Sequence, residues 1–203
     1  MHEIADPQSL RTHYGEISAL AQRKVLHALD RHARAFIALS PFVMLATADA
    51  RGNTDASPRG DRPGFVTVRD ETTLLIPDRP GNNRVDSFAN VLATGGVGLL
   101  FLVPGIDETL RVNGRARLLS DPDLLAAAAA HGRLPRAVLE IAVREVFFHC
   151  GKALKRAALW DPQRHQPREA FPSLGRVIAE QTGATDVAAA DAAVAESYRD
   201  RLY

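Results

Sequence analysis

From Phe42 to Leu119 short strand-like runs follow one another, most of them joined by turns too tight to hold a crossover helix, and this spacing restricts the chain to an antiparallel β arrangement. Ser40-Pro41 stops the preceding segment, since proline disfavours helix in the residue before it, and Phe42 to Ala48 then reads as an apolar strand. Asp49-Ala50-Arg51-Gly52-Asn53 is a hairpin turn, and the runs TDASPRG, FVTVRD and TTLLIPD form a meander. Thr109 to Leu119 alternates cleanly: Leu110, Val112, Gly114, Ala116 and Leu118 share one face, and Arg111, Asn113, Arg115 and Arg117 the other. Ala137 to His149 predicts one long strand or two short ones.

Helices decorate this core. Glu16 to Leu39 carries apolar residues at helical spacing and predicts one leading amphipathic helix, with His27 and His32 facing solvent. Asn82 or Asn83 is the expected cap of a helix reaching about Ala93, with Val85, Phe88, Ala89 and Leu92 inward and Gly95-Gly96 as its stop. Asp121-Pro122-Asp123 opens an alanine-rich helix expected to end at His131-Gly132. Lys152 to Trp160 predicts a further helix, Pro162, Pro167 and Pro172 mark a linker, and Leu174 to Thr182 and Val187 to Arg201 are two more helical patterns. The expected order is a helix, about seven strands with two inserted helices, then helices: a mainly β fold, an antiparallel barrel with helical decoration. The expected organisation is a leading helical segment over 1–40, a barrel domain over 41–162, and a linker with helices over 163–203 that pack on the barrel or on a partner subunit.

Composition removes several function classes. The 203 residues carry 25 basic and 24 acidic side chains, a net charge of +1, so no global field favours nucleic acid or an anionic membrane. The longest apolar stretches are too short to span a bilayer, and the start of the chain, Met1-His2-Glu3-Ile4, has neither a basic region nor an apolar signal core, which predicts a cytoplasmic protein. Walker A, G-x-G-x-x-G, HExxH, CxxC and G-x-S-x-G are absent, and the seven histidines show no metal-ligand spacing. Cys150, the single cysteine, cannot form an intramolecular disulfide and is expected as a small core residue at a strand end.

The chemistry lies in two arginine turns. Pro77 to Ser87, PDRPGNNRVDS, ends a strand in a Gly-Pro-Asn turn whose backbone N–H groups, with Arg79 and Arg84, suit an anionic phosphate. Ser57-Pro58-Arg59-Gly60-Asp61 precedes it, and the pair points to a phosphorylated cofactor.

Taken together, SPRGDRPGF, TLLIPDRPGNNRVDSFANVL, ETLRVNGRARLL and FFHCGKALKRAALWDP resemble the pyridoxamine 5'-phosphate oxidase-like flavoproteins over Phe42 to Pro162, in particular a subgroup of small bacterial FMN-binding proteins. The resemblance implies a split β-barrel and a homodimer with FMN at its interface. It implies that Arg59, Gly60 and Asp61 reach the FMN phosphate or ring and that the backbone of Ile76 and Pro77 faces the isoalloxazine edge. Arg79, Asn82, Asn83 and Arg84 then hold the phosphate, with Arg84 the foremost candidate. Thr109 and Arg111 offer polar groups near the flavin pyrimidine. Lys152, which opens a helix, has two readings: a group that reaches the flavin or its phosphate from the partner subunit, or a surface lysine. Arg115 and Arg117 are expected on a solvated strand face, and Trp160 in packing. The tryptophan-glycine-rich segment and substrate-binding arginine of true pyridoxamine phosphate oxidases are missing, since Leu159-Trp160-Asp161-Pro162 stands in that place. The resemblance therefore implies an FMN-dependent oxidoreductase acting on another small molecule, with a reduced nicotinamide or oxygen as the redox partner and no catalytic acid or base identifiable. The alternatives are a non-catalytic flavin-binding or sensing protein, or a barrel that holds haem or a deazaflavin.

Overall fold

The computed structural model describes residues 3–203, so Met1 and His2 of the start considered above lie outside the described residues. Seven strands form one antiparallel sheet: β1 (Phe42–Ala48), β2 (Thr54–Gly60), β3 (Thr67–Asp70), β4 (Thr73–Pro77), β5 (Gly96–Leu102), β6 (Thr109–Leu119) and β7 (Val138–His149). Their order is β2-β1-β5-β6-β7-β4-β3, and the two edge strands, β2 and β3, do not pair with each other. The sheet is thus an unclosed, split barrel.

Cross-strand partners share a face, so the register identifies the interior. Val43 pairs with Phe101 and Phe101 with Leu110, and all three are fully buried. The inward alternation of β6 follows the expected residues, and β7 is one strand rather than two. At its middle Asn113 pairs with Glu145 but Gly114 with Val143, so Arg144 is an extra residue in a β-bulge. Gly114 is needed there: a Cβ would lie 2.4 Å from the Ala142 carbonyl oxygen.

The leading segment is not one helix. It is divided into α1 (Pro7–Tyr14), α2 (Ala19–Arg23) and α3 (Arg31–Leu39), with extended chain between the last two. β4 covers only the first part of one edge of β7, and Leu26 takes the free edge beyond it: its N–H donates to the Val146 carbonyl at 2.9 Å, and its carbonyl accepts from the Val146 N–H at 2.8 Å. Asp30 then restarts the helix as a cap, accepting from the Ala33 N–H at 2.8 Å. His27 is exposed, as expected, but on this extended stretch. Leu29, Ala33 and Ile37 are buried against the core.

Two inserted helices also differ from expectation. α4 (Asp86–Thr94) begins after Val85, whose φ of 54° is left-handed, and neither Asn82 nor Asn83 caps it. The Asn82 side chain is used one turn earlier, accepting from the Arg84 N–H at 3.1 Å. Ser87 and Val91 face inward instead of Val85 and Leu92, both exposed. Gly95, at φ 70°, is the stop. α5 (Pro122–Ala127) ends well before His131. Past β7, α6 (Lys152–Ala157) stops at left-handed Ala158, leaving Trp160 to donate from Nε1 to the Ile106 carbonyl at 2.9 Å. α7 (Leu174–Thr182) and α8 (Val187–Asp200) pack on each other, Gly175 lying against Asp191. No helix among the described residues is long and apolar enough to cross a membrane.

On the outer face of β7, Glu140 accepts from Arg117 at 2.6 Å and from Arg69 at 2.5 Å. The Arg117 hydrogen bond, aided by Arg69 and by both charges, outweighs desolvation and holds the Glu140 carboxyl below its ordinary 4.5. A depressed carboxylate contributes stability above its unfolded value and loses it as pH falls through the folded one. The two arginines are largely exposed, so the contribution is modest, about 1 kcal/mol. Glu140→Gln should therefore be less stable than the native chain by that amount at neutral pH, with the gap closing below about pH 4.5 in urea unfolding curves. A gap constant down to the acid limit would contradict this.

Candidate functional site

Arg59, on β2, pairs in register with Val43 and so points to the interior face, at the opening between β2 and the end of β4. α4 places Phe88 against its guanidinium, 5.1 Å from ring centroid to Cζ. Its Nη2 donates weakly to Ser57 and Ser87 Oγ at 3.4 and 3.3 Å, and Ser87 donates to Asp55 at 2.5 Å. Asp78, just past β4, lies 3.7 Å from Nη1. Arg59 Nε is buried with no partner. A buried donor without an acceptor costs about 1 to 3 kcal/mol, so the guanidinium is held ready for an acceptor the chain itself does not supply.

Asp61 and Arg79 are tied to each other. Arg79 Nε donates to Asp61 at 2.7 Å and its Nη1 to the Ala128 carbonyl at 2.9 Å. Asp61 also accepts from its neighbour Arg62 N–H at 2.7 Å and from the Tyr203 hydroxyl at 2.9 Å. Burial opposes its ionisation, but these hydrogen bonds and the Arg79 charge together hold the carboxyl below its ordinary range. Tyr203 in turn stacks on His131, 4.2 Å between ring centroids, and its carbonyl accepts from Arg133. Asp61 and Arg79 thus fasten the turn down and have little capacity left for a ligand. A cavity of about 260 Å³ adjoins Arg79, walled by β3, β4 and α5.

Arg84 is exposed and donates to Asp86 at 2.8 Å. Asn83, left-handed at φ 58°, accepts from Arg136 at 3.1 Å. Gly60, Ile76 and Pro77 lie at the strand ends bordering the same opening, the last two buried. The two turns therefore meet, as their sequence implies, and they bring in Asp78, Ser87 and Arg136, which the sequence reading did not single out. Arg136 precedes β7 and has no motif around it; Asp78 and Ser87 lie inside the quoted turn.

Thr109, Arg111 and Lys152 form a second group. Arg59 aligns through Val43 and Phe101 with Leu110, so Arg111 is three strands away and on the opposite face. It donates to Glu145 at 2.7 Å, and its Cζ stands 4.0 Å over the Phe147 ring. Arg111 Nε, like that of Arg59, is buried and unpartnered. Thr109 is buried opposite His149, and exposed Lys152 opens α6 just beyond. Burial, followed by the charges of Arg111 and Lys24, holds the His149 imidazole below its ordinary 6.5. Cys150 is exposed rather than in the core, because it falls in the turn after β7; the Lys152 N–H lowers its thiol from the ordinary 9.0. Arg115 and Arg117 are exposed, as expected, though Arg115 also donates to the Thr94 carbonyl at 2.8 Å. Among the described residues no hydrogen bond, ion pair or ring contact joins the two groups.

No curated protein matches the chain. Solved structures similar to it include HupZ of Group A Streptococcus, 22% identical over 59% of this chain and 92% of that one, with a TM-score of 0.48. An FMN-binding protein of Syntrophomonas wolfei is 15% identical over 70% of this chain and 96% of that one, with a TM-score of 0.49. A protein from Clostridium acetobutylicum related to general stress protein 26 is 12% identical over 58% and 85%, with a TM-score of 0.46. The family model described as pyridoxamine 5'-phosphate oxidase matches residues 29–150, from the last turn before α3 through the whole split barrel to Cys150, and the chain belongs to that family.

Proposed function

We propose that the protein binds FMN between two copies of itself and acts as an FMN-dependent oxidoreductase on a small molecule. The observation that carries this reading is the pair of arginines, Arg59 and Arg111, each stacked on a phenylalanine, each near one carboxylate, and each with a buried Nε lacking an acceptor. A phosphate ester and the carbonyl edge of a flavin are acceptors of the required kind. The donor set fits the group. Arg59, Arg84 and Arg136 with the Asn83 turn would hold the phosphate, and Arg111, Thr109 and Lys152 the ring.

The faces support the dimer. Strands are spaced about 4.8 Å apart, so three strands separate Arg59 and Arg111 by roughly 14 Å, with the sheet between them. A ligand held by both kinds of arginine needs a second copy to bring the outer face of β6 to the opening beside β2. The interface of two chains is where the resemblance also puts the flavin.

Bound FMN would supply the redox chemistry through its isoalloxazine, with a reduced nicotinamide or oxygen as the other partner. The chain's own residues bind, orient and screen. Phe88 and the two serines hold the Arg59 fork, Asp61 fixes Arg79 and hence the turn, and Glu145 pairs with Arg111. The missing tryptophan-glycine-rich segment supports a substrate other than a vitamin B6 phosphate.

Flavin fluorescence checks this reading. FMN should be quenched on titration, riboflavin should bind at least about tenfold more weakly because it lacks the phosphate, and haem and a deazaflavin should not displace FMN at equal concentration. Equal affinity for FMN and riboflavin would remove the arginines from the account, and preferential binding of haem would replace the cofactor.

A further inference from the structure

The carboxylate of Asp78 faces Arg59 at 3.7 Å, too far for a hydrogen bond, and accepts none from any described residue. Its side chain is only 19% exposed. A half-buried carboxylate is ordinarily satisfied by two or more donors. Arg59, for its part, keeps a buried Nε unpaired. Two opposite charges thus stand together without closing a bond, and each retains capacity for another partner.

We propose that Asp78 is the resident counter-ion of the anion site: an incoming phosphate takes Arg59 from it, and Asp78 accepts a proton from solvent as its charge is no longer balanced. The inference rests on the flavin reading for the identity of the natural ligand, and on the Arg59–Asp78 geometry for the exchange itself. Once the guanidinium turns to phosphate, a dianion lies beside Asp78 and the cation that balanced it is shared. The protonated acid can then donate to a phosphate oxygen, where the ionised form would repel it.

The surrounding charges allow this. Arg59 on β2, Arg79 in the turn and Arg136 before β7 are the cations acting on Asp78. Arg79 is bonded to Asp61, which also holds Tyr203, and Arg59 is the cation that comes within ion-pair distance of Asp78 among the described residues, so Asp78 has no second close partner in the free protein. Desolvation is the largest influence and exceeds the three arginines, so the carboxyl already lies above its ordinary 3.8 before any ligand arrives. A raised carboxyl stabilises the fold when protonated and costs stability when ionised, so Asp78→Asn should melt no lower than the native chain at neutral pH.

Calorimetric titration of FMN at about pH 6, in two non-phosphate buffers of different ionisation enthalpy, measures the proton count of binding. The phosphate's own second ionisation, near 6, is coupled to Asp78 once the two are in contact, so the difference between native chain and variant counts the protons taken up by the pair because of the Asp78 charge. The native chain should take up more protons than Asp78→Asn, and the variant should bind FMN about tenfold more tightly while its affinity for riboflavin is unchanged. Equal proton counts, or a variant that weakens FMN and riboflavin alike, would overturn the proposal. Failure of the native chain to bind FMN would instead reject the flavin reading. In that event melting in inorganic phosphate against chloride at matched ionic strength decides the exchange: phosphate should raise the melting temperature of Asp78→Asn more than that of the native chain, and an equal or smaller rise would overturn it.

Discussion

Arg59→Ala should weaken FMN binding by about 10- to 150-fold, the equivalent of about 1.5 to 3 kcal/mol for hydrogen bonds from a charged donor to an anion. The size of the effect follows from how the side chain is held. Phe88, Ser57 and Ser87 fix the guanidinium, so little entropy remains to be lost on binding, and the buried Nε has no internal partner to give up. Arg59→Lys retains the charge but loses the planar fork and part of the Phe88 contact, and should recover only a fraction of the loss. Arg84→Ala should cost less, because Arg84 is exposed and already paired with Asp86. Flavin fluorescence titration of the three variants gives the ranking directly. An Arg84 variant more damaging than the Arg59 variant would place the main anion contact at the tip of the turn instead of at the barrel opening.

Phe101→Ala should destabilise the chain by about 3 to 5 kcal/mol, the range for deleting a large aromatic side chain from a packed core. Phe101 is fully buried at the middle of the sheet, between Val43 and Leu110, where no backbone movement could close the cavity without disturbing both neighbouring strands. For a chain of this length the loss corresponds to a fall in melting temperature of roughly 6 to 20 °C. FMN affinity of the molecules that remain folded should be nearly unchanged, because Phe101 touches the site only through the sheet. Chemical unfolding followed by far-UV circular dichroism measures the first effect and titration well below the melting temperature the second. A change smaller than about 1 kcal/mol would mean that the core is not packed as described.

The parts of the fold legible in the sequence are those set by neighbours along the chain. β1, the hairpin after it and the inward face of β6 depend on alternation and on turn residues within a few positions. The break in the leading segment does not. Leu26 leaves the helical pattern because Val146, far along the chain, offers an open strand edge, and no local periodicity records that. The α4 cap failed for a related reason, Asn82 being a good cap that the turn had already used. At the site the turn residues were legible by type but not by occupation: Arg79 and Arg84 look equivalent in PDRPGNNR, and only the structure shows one fastened by Asp61 and the other exposed. Arg136 was invisible because the chain brings it to Asn83 from outside any motif.

On the proposed reading, two arginine-bearing faces hold a flavin phosphate and ring. The most direct measurement is the visible absorption spectrum of the protein after incubation with FMN and removal of free flavin on a desalting column. The protein should retain a yellow flavin chromophore at about one flavin per chain, and the same treatment with riboflavin should leave far less. A protein that emerges colourless, and whose melting temperature FMN does not raise, would contradict it.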